Sequence, residues 1–278
     1  MFHFSCATLI RVIHIQRTVS VLVLCLLCAT PADAQSVGSL FTTLPADFAH
    51  LFTPSNAIII GIGGGGSAAI HPKDDDIAER VHQDNGARRN FFRAGATLGD
   101  GVEQGAFALG MYIIGRASRS ARVGALGADL VDAQIVNGVL TQGLKYAVQR
   151  TRPNGSSRSF PSGHTSATFA TAAVIHEHYG WKVAAPFYAL GGYVSASRMV
   201  DHQHFASDVI FGAALGIVSG RAASFGHGLN RLTVSPRVMP GGFAIVGTIG
   251  RSHGRGHKGV RNHEAHERTK LGTQSINL

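Results

Sequence analysis

Phe160-Pro161-Ser162-Gly163-His164 stands at the junction that decides how this chain is read. Before it runs a Gly/Ser-rich stretch, Pro153 to Ser159, of the kind that forms a connecting loop. After it the periodicity predicts a helix over 163–179, with Ser162 or Thr165 placed to cap its first turn. A capped helix start turns free backbone amides and a positive end toward whatever lies beside the motif. Working outward, the same reading predicts helices near 103–116, 125–150, 183–200 and 206–222, each rich in Ala, Gly and branched aliphatic residues and uninterrupted by strand-like alternation. The expected fold class is therefore all-α, a helical bundle.

Two further clusters flank the junction. Upstream, Lys145 and Arg152 are separated by six residues and followed by Pro153; downstream, Ser197-Arg198 is followed after five residues by His204, and then by Asp208. The ordered pattern K-x6-R-P, P-S-G-H and S-R-x5-H resembles the type 2 phosphatidic acid phosphatase family, which shares its site with the vanadium haloperoxidases. The resemblance covers residues 145 to 208. It implies a phosphate site between the ends of core helices, with Lys145, Arg152, Ser162, Gly163 and Arg198 as phosphate ligands. It further implies that His204 attacks phosphorus to give a phosphohistidine, while His164 protonates the leaving oxygen and later activates water.

Elementary chemistry is consistent with that assignment. Phosphoryl transfer spreads negative charge over three equatorial oxygens, so fixed cations around them stabilise the transition state, and arginine can grip two oxygens at once. Glycine allows the backbone to approach closely. Asp208 stands four residues after His204, so on a continuous helix the two share a face and the carboxylate orients the imidazole. Arg150, His176, His178 and His202 fall near these motifs without belonging to them and stay outside the expected site; Arg150 is expected to point elsewhere or to brace the loop. Phe205-Ala206 replaces a Tyr-Pro frequent in the family, and Asn154-Gly155 follows Arg152-Pro153, departures that bear on loop shape and substrate fit.

The formal charge of +9 does not indicate a nucleic-acid partner, because it is unevenly spread. Residues 35–224 hold fifteen Lys or Arg against thirteen Asp or Glu, whereas residues 225–278 hold eight against two. The basic excess is thus mainly a His-rich tail expected to be solvated and unfolded, with peripheral contact to anionic membrane as its functional alternative. Residues 1–34 read as a secretory leader: Arg11 and Arg17, an apolar run from Val21 to Cys28, and a small-x-small site at Ala32-Asp33-Ala34. All three cysteines, Cys6, Cys25 and Cys28, lie within it, so the exported chain would hold no disulfide and no cysteine-based zinc site.

The expected organisation is a leader (1–34), an irregular or short-helical Gly-rich extension (35–102), a helical phosphatase core (103–224) and a C-terminal segment (225–278) with a short strand at Phe243–Val246. Ile58 to Gly66 reads as either a short apolar helix or a loop, and its glycine run lacks the Lys-Ser or Lys-Thr of a nucleotide loop. Asp74-Asp75-Asp76 reads as a solvated helix start, with cation binding as the alternative. Charges at Glu177, Lys182, Arg198 and Arg221 interrupt the apolar runs before they reach the about 20 residues that cross a bilayer. The expected function is a metal-independent, cofactor-free phosphatase of the bacterial periplasm acting on phosphorylated small molecules or lipids, pyrophosphates included. A vanadium-dependent haloperoxidase-like oxidoreductase is the alternative.

Overall fold

The computed structural model of the protein describes residues 37–82, 86–225, 230–239 and 242–251. The expected leader and the His-rich tail beyond residue 251 lie outside the described residues. In chain order the described helices are α1 (Val37–His50), α2 (Pro54–Ile70), α3 (Asp74–His82), α4 (Gly86–Leu98), α5 (Gly101–Ala117), α6 (Ala121–Val148), α7 (Gly163–Tyr179), α8 (Trp181–Val200) and α9 (Ala206–Ala223). A hairpin of β1 (Asn230–Met239) and β2 (Gly242–Arg251) follows, antiparallel in a register running from Asn230 opposite Arg251 to Met239 opposite Gly242. Phe243–Val246 therefore lies within β2. Its partner β1 was not expected, although Leu232, Val234 and Val238 alternate there with Thr233, Ser235 and Arg237.

The Gly-rich segment is a helix of 17 residues rather than a loop. Pro54 occupies its first turn, and the Thr53 side chain accepts from the Asn56 amide, a standard helix entry. Four consecutive glycines disfavour a helix by propensity. Tertiary contact holds it instead: Gly63 lies against α9 so closely that a Cβ there would come 2.2 Å from the Ala214 Cβ. Further along, the Ser67 hydroxyl donates to the Ser207 carbonyl at 3.0 Å.

Helix α9 is the centre of the bundle, packed on α7, α2 and α6. Gly212, Gly216 and Gly220 recur every fourth residue on its face toward α7, where a Cβ would meet the carbonyl oxygens of Ser162, Ser166 and Ala170 at 2.8, 2.2 and 2.5 Å. Backbone meets backbone along this seam, which brings the starts of α7 and α9 together. The Ser162 amide donates to the Asp208 carbonyl at 3.1 Å.

Two helices, α6 with a mean hydropathy of 1.3 and α9 with 1.2, are long and apolar enough to cross a membrane by length and composition. This corrects the expectation that charges leave no helix of that kind. The acidic residues within α6 face inward: Asp129 meets His178 at 2.7 Å and Asp132 accepts from Thr43 at 2.8 Å. Half of the α6 window and 67% of the α9 window are buried within the bundle, as core helices are.

Candidate active site

Helix α6 ends where Gln149 adopts a left-handed conformation, φ 50°, and the chain turns into a loop that returns to α7 at Ser162. Lys145, in the last turn of α6, donates from Nζ to the Arg158 carbonyl at 2.8 Å, so the lysine is held by the loop it precedes. Gly155, at φ 82°, lets that loop double back, with the Arg152 amide donating to the Ser156 carbonyl at 2.7 Å. Arg198 comes from the end of α8. A turn then delivers His204 and closes on Arg198, whose carbonyl accepts from the Gln203 amide at 3.0 Å and the His204 amide at 3.3 Å.

These elements enclose a cleft of about 370 Å³ lined by Lys145, Arg152, Gly163, His164, Arg198 and His204, together with Asp100 and several uncharged side chains. Six of the eight residues expected at the site thus share one cavity. The other two, Ser162 and Asp208, are completely buried and do not line it. Ser162 occupies the cap position of α7, but its hydroxyl makes no capping bond and instead accepts from the Thr165 hydroxyl at 3.0 Å.

Asp208 reaches His204 by a route different from the expected one. His204 is not on a helix; it sits in the turn before α9, and Asp208 is in the first turn of α9. The carboxylate folds back to accept from the Phe205 amide at 2.9 Å, which leaves the same oxygen, Oδ2, 3.6 Å from Nδ1 of His204. The Ser159 hydroxyl donates to this oxygen as well.

Arg150, which sequence reasoning kept outside the site, proves central to its support. Its Nη1 donates to Asp208 Oδ1 at 2.8 Å and to the Ser207 hydroxyl at 2.7 Å, while Nη2 reaches Asp74 at 2.8 Å. Asp74, the first acidic residue of α3, is 2% exposed and also accepts from the Ser207 amide at 3.0 Å. A chain of carboxylate, guanidinium and carboxylate therefore runs from α3 to the start of α9, beside the turn that carries His204. Asp74 is thus a buried partner and not a solvated helix start; its sequence signal was only an acid opening a helix. The other excluded residues lie elsewhere: His176 meets the Tyr188 hydroxyl at 3.2 Å, His178 pairs with Asp129, and His202, in the turn at φ 55°, stacks on His82 at 3.8 Å.

The electrostatics are those of an anion site. Nε of Arg152 and Nε of Arg198 are buried without an acceptor among the described residues, as is Nδ1 of His204. Burial, reinforced by Arg152, pulls Lys145 down to about 8. Burial and then Arg198 pull His164 down to about 4, against the opposing pull of Asp100. Burial also lowers His204, and Asp208 offsets part of this. For Asp208 burial works upward, but the adjacent His204 ring, bonds from Ser159 and the Phe205 amide, and Arg150 nearby outweigh it and hold the carboxyl below its ordinary range. Such a site is built to receive a multiply charged oxyanion, whose arrival relieves three cations and a neutral imidazole at once.

Fold and site together define a helical bundle, followed by a β-hairpin, whose cleft gathers three cations and two histidines. Residues 127–230 match the PAP2 superfamily. A curated relative from Porphyromonas gingivalis, lipid A 1-phosphatase, is 41% identical over 101 residues, 34% of this chain and 22% of that protein. The chain thus spans about a fifth of that relative's length. Among solved structures, Aquifex aeolicus LpxE is similar at 24% identity with a TM-score of 0.46, over 53% of this chain and 92% of that one. The transmembrane PAP2 type phosphatidylglycerolphosphate phosphatase of Bacillus subtilis is similar at 20% identity with a TM-score of 0.41, over 67% and 92%.

Proposed function

We propose that this protein is a phosphatase that hydrolyses phosphomonoesters or lipid phosphates through a phosphohistidine on His204, using side-chain cations where other phosphatases use a metal. The observation that carries the reading is the convergence of Lys145, Arg152 and Arg198 on one cleft with His204, the two guanidinium Nε atoms having no acceptor among the described residues. Gly163 contributes the backbone at the positive start of α7. Nδ1 of His204 faces Asp208, which leaves Nε2 for attack on phosphorus. The P–O bond to the leaving group breaks as the N–P bond forms, and His164 supplies a proton to the departing oxygen. Water, deprotonated by the now neutral His164, then hydrolyses the phosphohistidine and releases inorganic phosphate. A bound dianion raises His164 by adding negative charge beside it, so substrate binding takes up the proton that catalysis spends.

Lipid phosphates enter the reading through the name of the Porphyromonas relative and through the apolar residues this chain exposes, among them Ile58, Ile62, Val102 and Trp181. Action in the periplasm at an anionic membrane surface belongs to the same proposal.

The test is phosphate release from p-nitrophenyl phosphate, phosphatidic acid and an isoprenyl pyrophosphate with EDTA present, and acid-quench trapping of labelled phosphate on wild type and His204→Ala. Hydrolysis that survives EDTA, is inhibited by vanadate, and leaves no label on His204→Ala is expected. Activity lost to chelation and restored by zinc or magnesium overturns the metal-independent reading. Label still trapped on His204→Ala overturns the nucleophile. Halide oxidation by vanadate-loaded protein at rates rivalling hydrolysis replaces the hydrolase reading with an oxidoreductase.

A further inference from the structure

Asp100 lines the same cleft from outside the matched family segment, at the corner between α4 and α5. It is the cap of α5, with Oδ1 accepting from the Val102 amide at 2.8 Å in an extended backbone conformation. Its other oxygen, Oδ2, lies 3.5 Å from Nε2 of His164, and the side chain remains 41% exposed. No guanidinium or ammonium pairs with it among the described ion pairs, in contrast to Asp208 and Asp74, which both hold Arg150. The charges that act on Lys145 and Arg152 are Asp208, Arg158 and the cage arginines, and Asp100 is not one of them. The cleft thus sets Lys145 and Arg152 against His204, while His164 lies between the Asp100 carboxylate and the opposing Arg198 guanidinium. Glu103, in the first turn of α5, neighbours Asp100 without lining the cleft, and burial and then Asp100 itself push its carboxyl up. The remaining lining on this side includes Gln134, Asn137 and Gln142, which are neutral.

We propose that Asp100 is a specificity-determining residue that disfavours anionic leaving groups, so that the enzyme takes phosphomonoesters of neutral hydroxyl compounds in preference to diphosphates. This rests on the reading of His164 as the proton donor to the leaving oxygen. A diphosphate presents a second phosphate at the place where the leaving group must sit, within reach of Asp100, and that phosphate must depart past it. A neutral alcohol or sugar hydroxyl meets no such repulsion and can hydrogen-bond to the amides. The same carboxylate stabilises the imidazolium of His164 against the groups that oppose its charge, Arg198 from α8 and His204 from the turn before α9; the Ala96 carbonyl of α4 adds to the stabilisation.

Asp100→Asn keeps a side-chain oxygen for the α5 cap, and Asp100→Ser does the same with a different shape, so either removes the charge while preserving the helix start. kcat/KM is measured for an alkyl phosphate and for the alkyl diphosphate of the same chain in mixed micelles. Wild type is expected to favour the monoester, and both variants to raise the ratio of diphosphate to monoester hydrolysis on the order of tenfold, the scale of one charge–charge interaction near a protein surface. The alkaline limb of kcat for the monoester is expected to move to lower pH, because the imidazolium loses its carboxylate partner. A merely structural role would move neither. An unchanged ratio in both variants, or a wild type that prefers the diphosphate, overturns the role of Asp100 while leaving the phosphatase reading intact. Failure of wild type to hydrolyse either substrate overturns the phosphatase reading itself.

Discussion

A lysine whose ammonium is held near 8 by burial and by Arg152 is a cation that ordinary buffers can remove. In the free protein Lys145 is charged below that point and neutral above it, so, on the proposed function, kcat/KM is expected to fall as pH rises through about 8, where one of the cleft's three cations is lost. Lys145→Arg keeps its charge and is expected to show no such limb, at reduced activity because the guanidinium does not reproduce the bond to the Arg158 carbonyl. A pH profile of kcat/KM on both proteins measures this; a limb near 8 persisting in the arginine variant excludes Lys145 as its source. At this scale the sequence was informative about residue types and blind to their supports. Lys145, Arg152, Arg198, His164 and His204 were named because their ordered motifs resemble those of a known family, and the structure gathers them in one cleft. Arg150 and Asp74 were left outside the site because their pairing lies in contacts across 58 and 76 residues of chain, which no local pattern encodes. The pairing of His204 with Asp208 was anticipated, but through helical spacing; the fold achieves it through a carboxylate folding back onto a turn.

At the level of elements, the seam between α7 and α9 fixes the site, since it sets Ser162 against Asp208. Gly216→Ala would place a Cβ 2.2 Å from the Ser166 carbonyl oxygen, a backbone atom that cannot rotate aside. The helices must separate, and a destabilisation of roughly 1–3 kcal/mol or more is expected, with loss of activity as the two helix starts shift. Gly110→Ala in α5, where a new Cβ meets nothing within 4 Å, serves as the comparison and is expected to gain up to about 1 kcal/mol. Denaturant unfolding of both variants measures the difference; equal stability would mean that the seam is looser than its geometry implies. Core helices were legible to within a few residues because their Ala- and Gly-rich periodicity and their flanking loops agree. The Gly63–Gly66 run was not, because its helix is maintained by α9 rather than by its own propensity.

Across the whole molecule, the segment matched to the PAP2 superfamily is supported by residues that precede it. Asp74 lies outside residues 127–230 yet balances Arg150 within them. Asp74→Asn leaves a largely buried guanidinium with one carboxylate fewer, and a stability loss of about 3 kcal/mol is expected, by analogy with the breaking of buried pairs. Arg150→Met added to Asp74→Asn is expected to recover part of it, so a double-mutant cycle in urea measures the coupling; strictly additive losses would show that the two residues do not act as a pair.

The carboxylate–guanidinium–carboxylate chain also bears on the order in which the molecule assembles. The bond from Ser207 to Asp74 closes a loop of 133 residues, whereas every helix turn closes over four. Contacts of such long sequence separation are reached late, after the entropy of a large loop has been overcome. Helix content and catalytic competence therefore return on separate clocks during refolding: the coil can wind its helices while Asp74 and Ser207 are still apart, and turnover begins only when the oldest and youngest parts of the site have met.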